Sequence, residues 1–211
     1  MSVRVLFAVV DGTQARDTFN TGPPRPKHDP MDPNAARRLE VFSLWLKTLP
    51  ADVRAMASLL SPREPESVRV YVASALTYLT RNLDLIPDGI EGIGYLDDAF
   101  VIRTASALAV EHVGVGAPTS LRRLAQDNDV VKSFLGAEYG RFRIYVMGLR
   151  DYVSKGRSAV QVAANDELSR GIAAEAVEWC GEYKESPLKK DPAELERLGT
   201  FLRSKLSLVR G

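Results

Sequence analysis

An all-α protein is what this sequence predicts: a helical bundle around a central helical hairpin, with a short extended N-terminal arm. Three observations lead there. From Asn34 onward, apolar residues recur at helical spacing in nearly every segment. The breaks between segments are rich in proline, glycine and residues that start helices. Only Val3, Val5, Phe7 and Val9 alternate as a strand does, and no second convincing strand follows to pair with them.

Taken in order, residues 1–33 read as an extended arm and a linker. Positions 20–33, NTGPPRPKHDPMDP, hold five of the twelve prolines and exclude both a helix and a central strand. His28 sits there without a ligand neighbour. Residues 34–115 form the core. Asp32-Pro33 opens a helix over 34–49, with Leu39, Phe42, Trp45 and Leu46 on one face, and a second short helix follows over 51–60. The pattern Val68, Tyr71, Val72, Ala75, Leu76, Leu79 gives a helix over 66–81. Across an acidic turn, residues 98–111 are apolar nearly all round, so that helix is expected to be the most buried.

Residues 116–211 carry further helices, expected to pack on the core as one globule. Thr119 or Ser120 caps LRRLAQ, and Asp129 caps VVKSFL ahead of Gly136. Long helices are expected over 138–153 and 160–183. Asp191-Pro192-Ala193-Glu194 reads as a capping box that opens a last amphipathic helix, with Leu195, Leu198, Leu202 and Leu206 on one side.

Composition limits the function classes. The chain has 211 residues, 45% hydrophobic and 26% charged, with formal net charge +1, so no global field recruits nucleic acid or an anionic membrane. One cysteine, Cys180, excludes an internal disulfide framework and a cysteine-rich metal site, which suits a reducing cytoplasm. The apolar run Val5 to Val10 is too short for a signal-peptide core. The apolar stretches at 71–79 and 99–110 fall short of a bilayer span, and the second contains Arg103. A cytoplasmic location, at most peripheral to the inner membrane, is the expectation.

The unusual stretch is LDLIPDGIEGIGYLDD, residues 83–98, with four aspartates and three glycines and no basic residue. Pro87 rigidifies the turn and biases Ile86 toward extended backbone. Gly89, Gly92 and Gly94 permit positive φ. Leu85, Ile86, Ile90 and Ile93 are expected to fold inward and plug the open end of the hairpin. Asp97 and Asp98 fall at a helix start, where carboxylates meet unpaired N–H groups and the positive end of the dipole. Asp84 and Asp88 brace the turn through local N–H groups or an arginine. The functional alternative is a divalent cation held by Asp84, Asp88, Asp97 and Asp98 as hard oxygen ligands, although EF-hand spacing is absent and no histidine is near.

Residues 68–108 resemble the bacterial YkvA-like family, a small helical domain of unknown function. The resemblance runs through Tyr78, Asp84, Leu85, Ile86, Pro87, Asp88, Gly94, Leu96, Asp97 and Asp98, which match a Tyr-bearing helix, P-x-D-L-I-P-D and G-x-x-D-D in order and spacing. Asn82 and Glu91 replace two prolines that the pattern usually carries. The resemblance implies a helical hairpin and association with membranes, and no known reaction.

Other chemistry falls away. A D-D-x-x-D motif of class I terpene synthases needs an acid where Val101 stands, and NDELSRGIA has Ala173 where their second motif needs glutamate. GVGAPTS lacks the lysine of a phosphate-binding loop, and Cys180 and His112 have no catalytic partners in the pattern. Arg122, Arg123, Lys132, Arg141, Arg143, Arg150, Lys155 and Arg157 read as a solvated face balanced by acids rather than a specific nucleic-acid surface. The expectation is a non-catalytic interaction or scaffold protein with a protein partner or a second copy of itself. The alternative is a metal-dependent enzyme using the acidic turn.

Overall fold

The computed structural model describes residues 33–80 and 84–209; the N-terminal arm, the proline-rich linker with Asp32 and His28, and residues 81–83 lie outside them. The described chain is all-α. Its helices are α1 (Pro33–Ser58), α2 (Glu66–Thr80), α3 (Leu96–Val113), α4 (Thr119–Gln126), α5 (Asn128–Leu135), α6 (Tyr139–Gly148), α7 (Ala159–Ala163), α8 (Asp166–Glu182) and α9 (Pro192–Leu206). The β-type pairing among the described residues is an isolated bridge between Ser154 and Arg157.

The first correction concerns Pro50. Two helices were expected around it, yet α1 runs through it without a break. A proline inside a helix removes the N–H that would bond the carbonyl four residues earlier, here Leu46. The Tyr183 hydroxyl donates to that carbonyl at 2.9 Å, so the orphaned acceptor is satisfied from the region just beyond α8. The Cys180 thiol donates to the Pro50 carbonyl at 3.4 Å, which gives the lone cysteine a buried structural place. Proline is thus tolerated because α8 packs against α1 there.

The second correction divides the helix expected over 160–183. Asn165 takes an extended conformation, and its side chain accepts from the N–H groups of Glu167 and Leu168, which starts α8 afresh after the short α7. Ser158 and Gln161 form a capping box on α7. The helix expected to reach residue 153 ends at Gly148. At α4 the N-cap is Pro118, with no side-chain bond from Thr119 or Ser120, and Asp129 lies inside α5 rather than capping it. At α9, Asp191 accepts from Ala193 N–H at 2.9 Å with Pro192 in the first turn, while Glu194 turns to Arg197 instead of closing the box.

Helix α3 is the axis of the fold. Every residue from Leu96 to Ser106 is buried, and the helix packs against α1, α2, α4, α5 and α6. Phe100 meets Phe42 and Trp45 of α1, Phe134 of α5 and Phe142 of α6 in tilted or edge-on ring contacts, the geometry that aromatic quadrupoles prefer. With its three-residue extension the stretch Leu96–Gly116 is long and apolar enough to cross a membrane, more than the 99–110 run that the sequence suggests; in this fold its first half is buried among other helices, whereas Val115 is exposed. The four leucines of α9 are buried against the bundle.

Within α3 stands Arg103, 1% exposed. Its guanidinium donates to Asp52 at 3.1 Å and to the Ala99 carbonyl at 3.0 Å, lies 3.4 Å from Asp127, and stacks 4.0 Å from the Trp45 ring. Asp52, also 1% exposed, receives Arg123 at 2.6 Å on its other oxygen. This charge is buried with its partners in place.

Candidate functional site: the acidic turn between α2 and α3

Residues 84–95 fold as successive tight turns. Ile90 N–H donates to the Pro87 carbonyl at 3.0 Å, Gly94 N–H to Ile90 at 2.9 Å, and Leu96 N–H to Ile93 at 3.0 Å, which leads the chain into α3. Two glycines are required by geometry. A Cβ on Gly94 would stand 2.3 Å from the Asp88 carbonyl oxygen, so only glycine lets the approach to α3 pass over Asp88. Gly92 has φ +82, and its N–H donates to Ser186 Oγ at 2.8 Å, tying the turn to the segment between α8 and α9. Gly89 has neither a positive φ nor a near neighbour, so the conformational role expected for it is absent.

Leu85, Ile86 and Ile93 are buried in the core, whereas Ile90 is half-buried at its edge and Pro87 is exposed. Tyr78 holds the two sides together. Its hydroxyl donates to Asp97 Oδ2 and accepts from Leu85 N–H at 2.8 Å, and the same Asp97 oxygen accepts from Ile86 N–H at 3.0 Å. One carboxylate oxygen thus links α2, the turn and α3.

The expected caps are not formed. Asp97 and Asp98 do lie in the first turn of α3, but the N-cap is Tyr95 and no side chain caps the helix. Both acids turn into the interior instead, 1% and 3% exposed. Asp84 and Asp88 are half-buried above them. One oxygen each of Asp88, Asp97 and Asp98 is buried without a hydrogen-bond partner. Buried polar atoms are paired in the great majority of cases, so three orphans in one cluster stand out.

The electrostatics match. Burial raises the Asp84 carboxyl to about 7, helped by the charge of Asp88, and raises Asp88 to about 6. Asp97 is raised by burial against the lowering effect of its bonds from Tyr78 and Ile86. Asp98 is pushed well above the carboxylate range, by burial first and then by the charges of Asp97, Asp88 and Asp84. No Arg, Lys or His among the described residues forms an ion pair with any of the four. No described arginine braces Asp84 or Asp88. As they stand, no three His, Cys, Asp or Glu side chains among the described residues enclose one metal position. The cluster offers proton-sharing or hard-oxygen chemistry, without a nucleophile beside it.

The remaining candidates lie elsewhere. His112 is exposed with its ring 5.9 Å from that of Tyr71. Among the basic residues, Arg141 pairs with Glu138 and Arg143 with Glu111, while Arg122 donates to the Val115 carbonyl. Sequence reasoning missed the Asp52–Arg103–Asp127 centre. Its signal was present: an arginine in the middle of an all-round apolar helix needs a buried partner. The bridge from Ser186 to Gly92 carries no such signal.

Residues 68–103 match the model of a family of proteins of unknown function, DUF1232. The match spans α2, the acidic turn and the first half of α3, well under half of the chain. Neither a curated protein nor a solved structure matches the chain.

Proposed function

We propose that this chain is a non-catalytic interaction or scaffold protein built on a YkvA-like hairpin, bacterial, cytoplasmic and at most peripheral to the inner membrane. The observation that supports this is an open, largely apolar groove that lies apart from the acidic turn. An open groove of ≈ 600 Å³ is lined by Ala57, Ala173, Ala174 and Val177, with Arg54, Ser58 and Glu178 beside them. A substrate seated there meets none of the four aspartates. Asp97, for its part, is occupied by Tyr78 and the Ile86 N–H.

A protein partner, or a second copy of the chain, fits this surface better than nucleic acid. Arg123, Arg141 and Arg143 are engaged with acids of the same chain, which lowers the charge available to phosphates. The α9 leucines are buried, so an interfacial helix of leucines and cations is not presented to lipid.

Size-exclusion chromatography of native extracts containing the tagged chain, with cross-linking and mass spectrometry, tests the proposal. The expected result is elution well above the monomer mass, with one protein or further copies of the chain cross-linked at constant ratio. Elution as a free monomer with no recurrent cross-link would overturn it. The second reading, a metal-dependent enzyme, draws on the gathering of the four acids; of these, Asp97 and Asp98 are nearly closed to solvent, so a substrate would meet Asp84 and Asp88 first.

A further inference from the structure

We propose that the acidic turn is a binding site for a hydrated divalent cation of the Mg²⁺ class, held from the inside by Asp98 and from the solvent side by Asp88. This goes beyond the interaction reading and is independent of it.

Two observations converge on the same place. Asp84, Asp88, Asp97 and Asp98 gather at the mouth of the hairpin with no described cation paired to them. Separately, Asp98 is 3% exposed and Asp97 1%, and each has one buried oxygen without a hydrogen-bond partner among the described residues; Asp88 has a third. An isolated carboxylate oxygen is costly to bury, and a cation offsets that cost where no donor is available. The Asp98 carboxyl feels the charges of Asp97, Asp88 and Asp84, so its buried, unsatisfied acceptor belongs to the same cluster.

The ion class follows from the donor set. The donors are carboxylate oxygens alone, hard ligands that suit Mg²⁺, Ca²⁺ or Mn²⁺ rather than zinc or copper. No three acids enclose a single point, which does not suit an all-protein calcium cage of six to eight oxygens. Mg²⁺ dehydrates reluctantly and is commonly held by one or two carboxylates with its remaining positions filled by water. Those waters donate hydrogen bonds, which is what the remaining orphan oxygens lack. The half-buried pair Asp84 and Asp88 gives the ion a route from solvent to the buried pair. Gly94 fixes this arrangement, because it is the close pass over the Asp88 backbone that brings the turn against the start of α3.

The experiment uses the full-length chain, stripped with chelator and followed by thermal melting and isothermal titration at constant ionic strength. MgCl₂ is expected to bind at one site and to raise the Tm in a saturable way, with Mn²⁺ acting similarly and Ca²⁺ more weakly. Asp98→Asn and, on the outer side, Asp88→Asn are expected to abolish both signals while remaining folded by circular dichroism. Asp151→Asn, at an exposed acid outside the cluster, is expected to keep them. No saturable heat, a Tm rise equalled by NaCl, or a response retained in Asp98→Asn would overturn the proposal. A stronger response to Ca²⁺ than to Mg²⁺ would overturn the assignment to a hydrated ion.

Discussion

Two buried charged centres lie on the same helix, five residues apart, and their chemistry is opposite. At Arg103 the charge is enclosed by Asp52 and Asp127, shared with Arg123 through Asp52, and roofed by Trp45. Burial pulls the arginine's proton affinity down, and the two aspartates push it back. At Asp98 burial and every neighbouring charge act in the same direction, raising the carboxyl without opposition. In the first centre the charge is balanced by acids of the chain, although the Arg103 Nε makes no hydrogen bond and meets Asp127 only as an ion pair at 3.4 Å. The second requires protons or an external cation. A buried charge that the fold has already paired reads as architecture, and one left unpaired reads as a place for something else.

The sharpest way to break this contrast is to unpair the first centre. Asp52→Ala removes the acceptor of both Arg103 and Arg123 and leaves Arg103 with Asp127 at 3.4 Å. Removing one partner of a buried pair costs about 3–5 kcal/mol. Urea denaturation is expected to show a loss of that size. A loss below about 1 kcal/mol, the range of exposed pairs, would mean that the centre is not the architectural one.

A smaller effect is expected from disturbing the geometry of the second centre without touching its charge. Gly94→Ala places a methyl 2.3 Å from the Asp88 carbonyl oxygen, so the turn must move. Overpacking of this kind costs about 1–3 kcal/mol. Gly89→Ala, with open space around the added carbon, is expected to leave the denaturation midpoint nearly unchanged. Equal effects at the two glycines would refute the close-approach argument.

These two glycines also show how far the sequence could be read. The helical class, the hairpin and the acid content of its turn follow from local patterns: spacing, proline, glycine and aspartate; that Asp97 and Asp98 turn inward rather than cap α3 does not. Which glycine is indispensable depends on what lies across from it, and spacing does not encode that. Asp97 is similar. Its position in the first turn of α3 is legible, but its preference for Tyr78 and Ile86 over the helix N–H groups arises when the hairpin closes. Pro50 is the clearest case. A local rule breaks the helix there, and a hydroxyl 133 positions later, at Tyr183, relieves the cost.

The third test carries the opposite sign. In chelator, a carboxyl whose folded pKa is raised stabilises the fold fully below its unfolded value, near 4. That contribution is lost as pH rises through the folded values, about 6 for Asp88 and about 7 for Asp84. The metal-free protein is therefore expected to lose stability between pH 5 and pH 8 as the cluster ionises. Asp98→Asn removes one charge from that cluster, so its urea midpoint is expected to exceed the wild type's at pH 8 and to fall less between the two pH values. A variant less stable than wild type at pH 8, or a wild type indifferent to pH, would show that the carboxylates are compensated after all.

The smallest effect separates pairing from burial. Arg143 and Glu111 form a two-pronged pair, 2.9 and 2.7 Å, as well made as any contact around Arg103 but with side chains 36% and 53% exposed. The hydrogen bonds from Arg143 lower the Glu111 carboxyl, so the stabilisation is present above its unfolded pKa and is lost as pH falls. Its pH slope is thus the reverse of the acidic cluster's. Water screens both groups, and pairs of this kind contribute about 0.2–1 kcal/mol. Arg143→Gln is expected to lower stability by that amount at pH 7, less in high salt, and by nothing measurable once Glu111 is protonated. If it matched the loss from Asp52→Ala, the geometry of the pair rather than its burial would set the energy. The contrast between the two centres of α3 would then rest on contact alone.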